Sequence, residues 1–551
     1  MFQQTLSPAG SLWLSVLISM VPLIALLYML AVLRMTAWLA TIVGGLITFL
    51  LGVLVWHAPA GDTLKSYLYG GFTGFWAIDW ITFWGLIIFN TLEQTGRFER
   101  FKKWMIHHAT ADIRIQTIML AWAFGALLEG LVGFGYPWAV VVPILVGLGI
   151  ADLDAIRVAA LANNAPVSYG ALGAPILGLA AVTGLPLMAL SASIGSIVAI
   201  LALLPPWVLI YLVSGWDGMI EAWPLAIVGS LSYIAGQWPV ARYLGPYLPD
   251  LSGALVSFWI LFLFVKVWRP KTVRSFRRTP APGDKSEKWV DGQLRARLVQ
   301  GKPAAFQESA SVAGALSVWF PYIVLIAVVV AWTGPWSHLP GVSWVRLAVS
   351  ANSSVTQKPI QSVFNFNPLA GGTAILASWL VLLLIWRPHW QIIGRVFSKT
   401  FKQMWGALLV AFFIFALAYI FVFTGMANSL AYGLSKIGLF FVVLAPILGW
   451  IGVALSGSNT ATNAMFGPVQ ALTGRLLNLP ILLLPSFNSV GAEVGKPIAP
   501  QTASVGVSTS RLVRSEGQVI RHNMGWTLAV LVYLIVISAV FYFFFPKWMS
   551  L

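Results

Sequence analysis

The sequence predicts an all-α polytopic membrane protein of about 12 to 14 membrane segments by the length rule, built as two inverted repeats with broken helices or re-entrant hairpins. Three observations predict it. Of the 551 residues 59% are hydrophobic and only 9% charged, against roughly 25% charged in soluble domains, and the mean hydropathy is +0.84. Apolar stretches long enough to cross a bilayer recur along the whole chain. In two places those stretches are interrupted by Gly, Pro and Asn at a density that a lipid-facing helix does not use. The net charge of +16 sits in short loops between apolar runs, which is positive-inside topology and not a nucleic-acid surface. With no cysteine, disulfides, thiolate metal sites and cysteine nucleophiles are excluded. The start Met1-Phe2-Gln3-Gln4-Thr5-Leu6 has no basic n-region or cleavage site, so no removable signal peptide is expected.

Taken in order, Leu12 to Leu33 and Ala37 to Trp56 read as two clean spans. A third, Gly71 to Leu92, holds Asp79 among tryptophans. From Arg97 to His108 the apolar residues 98, 101, 104 and 105 share a helical face, so this stretch is expected on the cytoplasmic surface. Ile115 to Ile150 and Ala155 to Val182 are the broken segments of the first half, followed by apolar runs at Leu187 to Val213, Pro224 to Ile234 and Leu251 to Trp268. Residues 1–268 thus form a first membrane repeat. A strongly basic loop, 269–310, is assigned to the cytoplasm as a solvated tether. The second repeat, 311–551, begins with Ala313 to Trp332 and an outside polar loop, Gly334 to Pro368. It continues with spans at Ala374 to Trp386, Trp405 to Phe423 and Ile437 to Leu455. A second irregular region, 456–506, precedes the closing span Trp526 to Phe545.

The halves echo one another. Gly125-Ala126-Leu127-Leu128-Glu129-Gly130 corresponds to Gly452-Val453-Ala454-Leu455-Ser456-Gly457, and Gly170-Ala171-Leu172-Gly173-Ala174-Pro175 to Gly491-Ala492-Glu493-Val494-Gly495-Lys496-Pro497. Arg and Lys crowd the segment after Gly96, whereas its counterpart after Gly425 has only Lys436. Under the positive-inside rule the two units then lie in opposite orientations. Inverted repeats with broken helices mark secondary transporters, whose half-helix ends aim at a solute near the bilayer midplane.

With these residues in view, the chain resembles the L-lactate permease family over nearly its full length. The resemblance is most specific at Glu129-Gly130-Leu131-Val132-Gly133-Phe134-Gly135, Asn164-Ala165-Pro166-Val167, Gly457-Ser458-Asn459-Thr460, and Gly495-Lys496 before Pro500-Gln501. It implies proton-coupled uptake of L-lactate, with D-lactate and glycolate, through the prokaryotic cytoplasmic membrane. Re-entrant hairpins, elevator-like movement and a homodimer around a scaffold domain are implied by the wider superfamily. The chain departs from relatives at Asn459, where Asp is frequent, at Tyr136 and at Glu493, which bears on substrate and stoichiometry.

A small hydroxy-anion needs donors that cost little to bury: helix-start N–H groups, hydroxyls, amides or one cation. The expected substrate-binding set is Asn163, Asn164, Ser458, Asn459, Thr460, Asn463 and Asn488. Gly133, Gly135, Gly457 and Gly495 would let the backbone approach the ligand. For each asparagine a bond to the next helix is the structural alternative. Three roles are open to Lys496: receiving the substrate carboxylate, pairing with Glu493 one helical turn earlier, or snorkelling to an interface. Glu129 is the expected proton-coupling residue, since a carboxyl in an apolar setting can exchange a proton near neutral pH; an inert bond holding the hairpin is its alternative. His107 and His108 lack a carboxylate to complete a metal shell, so no metal is expected. No phosphate-binding Gly-x-x-x-x-Gly-Lys-Ser/Thr motif is present, so no cofactor is expected and a proton gradient would drive transport. Sodium coupling to another short hydroxycarboxylate is the competing reading. A membrane-embedded transferase is a third, and it lacks the His/Asp or paired-acid constellation it needs. Lipid and protons are the other expected partners, and nucleic acid is not.

Overall fold

Helices make up nearly all of the computed structural model, which describes residues 1–101, 112–133, 135–276, 312–512 and 514–551. Eight described helices are long and apolar enough to cross a membrane, or nine if one bent pair counts as a span. The sequence count is higher because it includes shorter apolar pieces, Tyr136–Gly147 and Gly371–Trp386, and also Val312–Thr333, a helix of 22 residues. Halved helices cannot meet a length test for a full span, and halving is what distinguishes the middle of this fold.

The long spans behave as an apolar pattern without amphipathic phase should. Leu12–Ala31 and Ala37–Leu54 pack together and present Leu17, Ile24, Leu46 and Leu54 outward, where hydrocarbon replaces water at no cost. The span expected at Gly71 to Leu92 belongs to a 35-residue helix, Ala60–Gln94. A π-helical turn at Gly74–Asp79 interrupts it and stacks Trp76 on Trp80 at 4.8 Å. Trp405 to Phe423 likewise extends back to Trp390, giving Trp390–Phe423. Pro224 to Ile234 grows into Trp223–Tyr243, which pairs with Pro249–Val267 as a helical hairpin.

One expectation is corrected. The chain is not purely helical: the polar loop Gly334 to Pro368 contains strands β2 (Val345–Asn352) and β3 (Pro359–Phe366), paired antiparallel, and β1 (Phe2–Gln3) adds to β2 in parallel. Val-Arg-Leu-Ala-Val-Ser in β2 alternates in the period of two that strands use, a pattern hidden in a loop judged only by its polarity; Pro-Ile-Gln-Ser-Val-Phe in β3 does not alternate and is held by its pairing with β2. Of the stretch starting at Arg97, residues 97–101 are described, with Glu99 and Arg100 exposed. Phe98 and Phe101 are buried, and Phe101 meets Trp319 at 4.8 Å; the remainder, including His107 and His108, falls outside the described residues. Most of the basic loop does too, but its start is pinned. Arg114 Nη2 donates to Asp112 at 2.7 Å and to Thr272 O at 2.6 Å, and Arg274 Nε lies 3.3 Å from Glu221.

Four broken elements occupy the centre. Helix Phe124–Leu131 turns back through Gly133 and Gly135 into Tyr136–Gly147. Asp152–Ala162 and the segment Val167–Thr183 meet at 68°. Phe441–Ser456 turns at Gly457 into Asn459–Leu476. Leu483–Gly495 ends in a 3₁₀ turn, Lys496–Ile498, before Pro500–Ser508. The polar loop interruptions therefore fall at the ends of half-helices, where four N–H or C=O groups per end need partners.

Candidate functional site

The breaks meet one another. A Cβ placed on Gly133 would lie 3.1 Å from Ala171 Cβ, one on Gly135 would lie 3.1 Å from Thr502 Cγ2, and one on Gly457 only 2.4 Å from Gln501 Oε1. Gly133 and Gly135 have φ of +66° and +76°, which an L side chain resists, so the tight reversal beside Ala171 requires glycine at both. The partner turn is more unusual still. Ala171, Leu172 and Gly173 take φ of 47°, 58° and 81° in succession, a left-handed turn that costs roughly 1–2 kcal/mol at each non-glycine residue. Strain of this kind persists only where surrounding structure over-determines it, and it clusters at functional sites.

At the junction lies an ion pair. Lys496 Nζ donates to Glu129 Oε1 at 2.6 Å, with side-chain exposures of 8% and 2%, and Asn163 Nδ2 donates to Glu129 Oε2 at 3.0 Å. Gly170 makes room for the carboxylate, since a Cβ there would sit 2.6 Å from Oε1. Of the three roles left open for Lys496, the described contacts do not include pairing with Glu493: the lysine opens the 3₁₀ turn, while Glu493, near the end of the preceding helix, reaches Ser168. Glu129 has a cation beside it, delivered by the turn that follows Leu483–Gly495.

Beside the pair, Glu493 Oε1 accepts the Ser168 N–H at 2.6 Å. Asn459 Nδ2 donates to Ser489 O at 3.1 Å. Asn463 Nδ2 donates to Pro175 O and to Ser489 Oγ, each at 3.1 Å, and Asn488 Nδ2 donates to Asn463 Oδ1 at 3.0 Å. Asn463 and Asn488 thus chiefly tie helices together, the structural role left open for them. Ser458 caps Asn459–Leu476 through its Oγ, which accepts Ala461 N–H at 3.2 Å, and Thr460 lies against Gly178. Gly495 has an ordinary helical φ of −79°, and its missing Cβ admits Trp450 O, which one would meet at 2.5 Å; it serves helix packing and not ligand approach. Tyr136 meets Phe89 edge-on at 4.6 Å and donates to Glu93 at 3.4 Å, contacts outside the Glu129–Lys496 cluster.

The cluster keeps open valences. Among the described residues Asn163 Oδ1, Asn164 Oδ1, Asn459 Oδ1, Gln470 Oε1 and Glu493 Oε2 have no hydrogen-bond partner, though all are buried. Leaving each such group unpaired costs about 1–3 kcal/mol, so their concentration in one place is what a site completed by a polar ligand or proton looks like. The N-terminus of Asn459–Leu476, with its positive dipole end, lies beside the same cluster, since Asn459 Nδ2 donates to Ser489 O at 3.1 Å and to Ser168 Oγ at 3.5 Å.

Sequence reading missed Asp250. It is 1% exposed, accepts the Tyr233 hydroxyl at 2.9 Å, and leaves Oδ2 without a partner among the described residues. A Cβ on Gly130, next to Glu129, would lie 2.7 Å from its Cβ. In Leu248-Pro249-Asp250-Leu251 it stands in the first turn of a helix, a common place for an acid; the signal available was an acid directly before the apolar run Leu251 to Val265. Ser168 and Ser489 were also missed, because serine is common in membrane helices. Asp79 stays apart from the junction, in the π-helical turn.

Residues 15–546 match the L-lactate permease family. The chain is similar to the glycolate permease of Escherichia coli (strain K12), at 32% identity over 95% of both chains. It is similar also to the L-lactate permeases of Salmonella typhimurium (31%, 96% of both) and Bacillus subtilis (30%, 96% of both). These relatives are permeases and not enzymes. Full-length similarity, the broken-helix junction and the recurrent spans lead to one conclusion: this is a multi-pass transport protein of the cytoplasmic membrane, and it belongs to the L-lactate permease family.

Proposed function

We propose that this chain takes up lactate or glycolate together with a proton, and that Lys496 and Glu129 carry the coupling. The observation that carries the reading is the 2.6 Å ion pair at the meeting point of the broken helices. Empty, the pair sums to zero charge. A substrate carboxylate that takes Lys496 Nζ releases Glu129, and a proton entering with it neutralises the freed carboxyl. Loaded, the sum is zero again. A mobile core that keeps its charge balanced avoids the heavy cost of carrying net charge through hydrocarbon. The 2-hydroxyl of the substrate is a donor, and the unpaired Oδ1 atoms of Asn163, Asn164 and Asn459 are acceptors suited to it.

Support for an inverted repeat comes from the order of elements. A helical hairpin followed by a broken helix occurs at 124–183 and again at 441–508. Elevator-like movement would carry these elements past the remaining spans, and the homodimer implied by the family resemblance would hold those spans fixed. Sodium coupling is the second reading, favoured by the unpaired Asn459 Oδ1 and Glu493 Oε2, oxygen donors of the kind sodium takes. Labelled L-lactate uptake into proteoliposomes under an imposed pH gradient tests the proposal, with glycolate, D-lactate and pyruvate as competitors. Accumulation should follow the pH gradient and persist with choline in place of sodium. Uptake that needs sodium and ignores the pH gradient would replace it with the second reading.

A further inference from the structure

Away from the junction, a groove of about 750 Å³ runs between the first turns of Asp152–Ala162 and the last long helix, Glu516–Phe544, lined by Leu153, Arg157, Gln518, Arg521, His522 and Trp526 among others. Its two ends differ in chemistry. At the helix starts it is polar and basic. Arg157 Nη2 donates to His522 O at 2.9 Å, and Arg157 Nη1 lies 3.7 Å from Asp154, which also holds His522 Nε2 at 3.1 Å. Asp154 therefore offsets one positive charge. Arg521 is exposed and has no ion pair among the described residues, and Arg511 and Arg514 lie just upstream.

Higher on the same helix, the groove passes Gly525 and Ala529. The face then continues as Val532 and Val536, which are 60% and 54% exposed. Positions 518, 521, 525, 529, 532 and 536 follow one another at intervals of three or four, so they form a single stripe. That stripe is cationic at one end and bare hydrocarbon at the other, with Trp526 at the boundary where amphipathic rings settle in membranes. An excess of arginine puts the polar end at the cytoplasmic surface.

We propose that this groove binds one anionic phospholipid of the cytoplasmic leaflet, its phosphate between Arg157 and Arg521 and an acyl chain along Gly525, Ala529, Val532 and Val536. A soluble phosphate would leave the apolar two-thirds of the stripe unused, and a zwitterionic headgroup would bring its own cation against Arg157 and Arg521. The back of the same helix touches the transport machinery, because Asn523 Nδ2 donates to Pro497 O at 2.9 Å, next to Lys496. Lipid at the groove thus bears on a helix that supports the ion pair, although the lipid site itself does not depend on which solute is carried.

The test is native mass spectrometry of the purified chain after reconstitution in phosphatidylcholine vesicles with and without phosphatidylglycerol. The wild type should retain phosphatidylglycerol in preference to phosphatidylcholine. Arg521→Gln should weaken that retention about fivefold, the effect of one basic residue at an anionic surface. Gly525→Trp, at a position with open space around it, should fill the groove and expel the lipid while leaving the fold intact by thermal unfolding. Equal retention of both lipids, or unchanged phosphatidylglycerol in both variants, overturns the proposal. So does a wild-type dimer that Gly525→Trp dissociates without lipid loss, which would make this face a contact between copies of the chain.

Discussion

The losses from removing Glu129 and Lys496 one at a time should sum to more than the loss from removing both. At 2.6 Å and an effective dielectric of about 20, the Coulomb attraction is roughly 6 kcal/mol. Desolvation of the two ions offsets much of it, so the pair's net worth is small, but an orphaned partner costs about 3–5 kcal/mol. Glu129→Gln keeps the shape and the bond from Asn163 while leaving the Lys496 ammonium buried without a counter-charge. Lys496→Met leaves the carboxylate in the same position. The double variant removes both charges and should recover at least about 2 kcal/mol relative to the sum of the singles. Thermal unfolding of the four proteins in one detergent reads this as apparent midpoints, with the double variant closer to wild type than the sum of the two losses. Strict additivity would refute the claim that these side chains compensate one another. The transport arm separates stability from coupling: Glu129→Gln should lose uphill uptake under a pH gradient while lactate exchange remains measurable. Undiminished accumulation would remove Glu129 from the coupling role.

Other expectations follow from single contacts. Gly170→Ala places a methyl 2.6 Å from Glu129 Oε1, an overpacking that typically costs about 1–3 kcal/mol; it should slow exchange as well as lower the unfolding midpoint, and a silent variant would mean the carboxylate can move aside freely. Ala171→Gly relieves a left-handed residue at φ 47° and should raise stability by about 1 kcal/mol, measured by the same melts; a drop would show that its contact with Gly133 matters more than its backbone. Ser458→Ala removes the cap on Ala461 N–H at a cost of about 1 kcal/mol, and should weaken substrate affinity in competition assays if the half-helix start faces the ligand. Asp250→Asn keeps an acceptor for Tyr233 but removes the acid. It should alter the pH profile of uptake more than the unfolding midpoint, whereas a purely structural acid would change the midpoint and leave the profile in place.

Much of this was legible in one dimension. Hydrophobic run length set the spans, because lipid imposes the same requirement on every helix that faces it. Glycine, proline and asparagine inside such runs marked the breaks, since bared backbone at membrane depth survives only under protein cover. The order of motifs placed Glu129, Asn163, Asn459 and Lys496 in one candidate site. Sequence could not say which charges meet. Lys496 lies three residues from Glu493 and 367 from Glu129, and local spacing offered Glu493 as one possible partner while giving no sign of Glu129. Only the crossing of two broken helices, with a 3₁₀ turn rotating the lysine off its helix face, assigned it to Glu129. Asp250 and the lipid groove were invisible for the same reason. Each is made by elements far apart in the chain, and run length and composition carry no record of which helix lies beside which. Strand β2 was readable from its alternation but lay inside a loop that polarity alone had dismissed, and β3, which does not alternate, is defined by pairing with it. Solvent compatibility, then, is written residue by residue along the chain, while pairing of buried charges belongs to the packing that brings distant segments together.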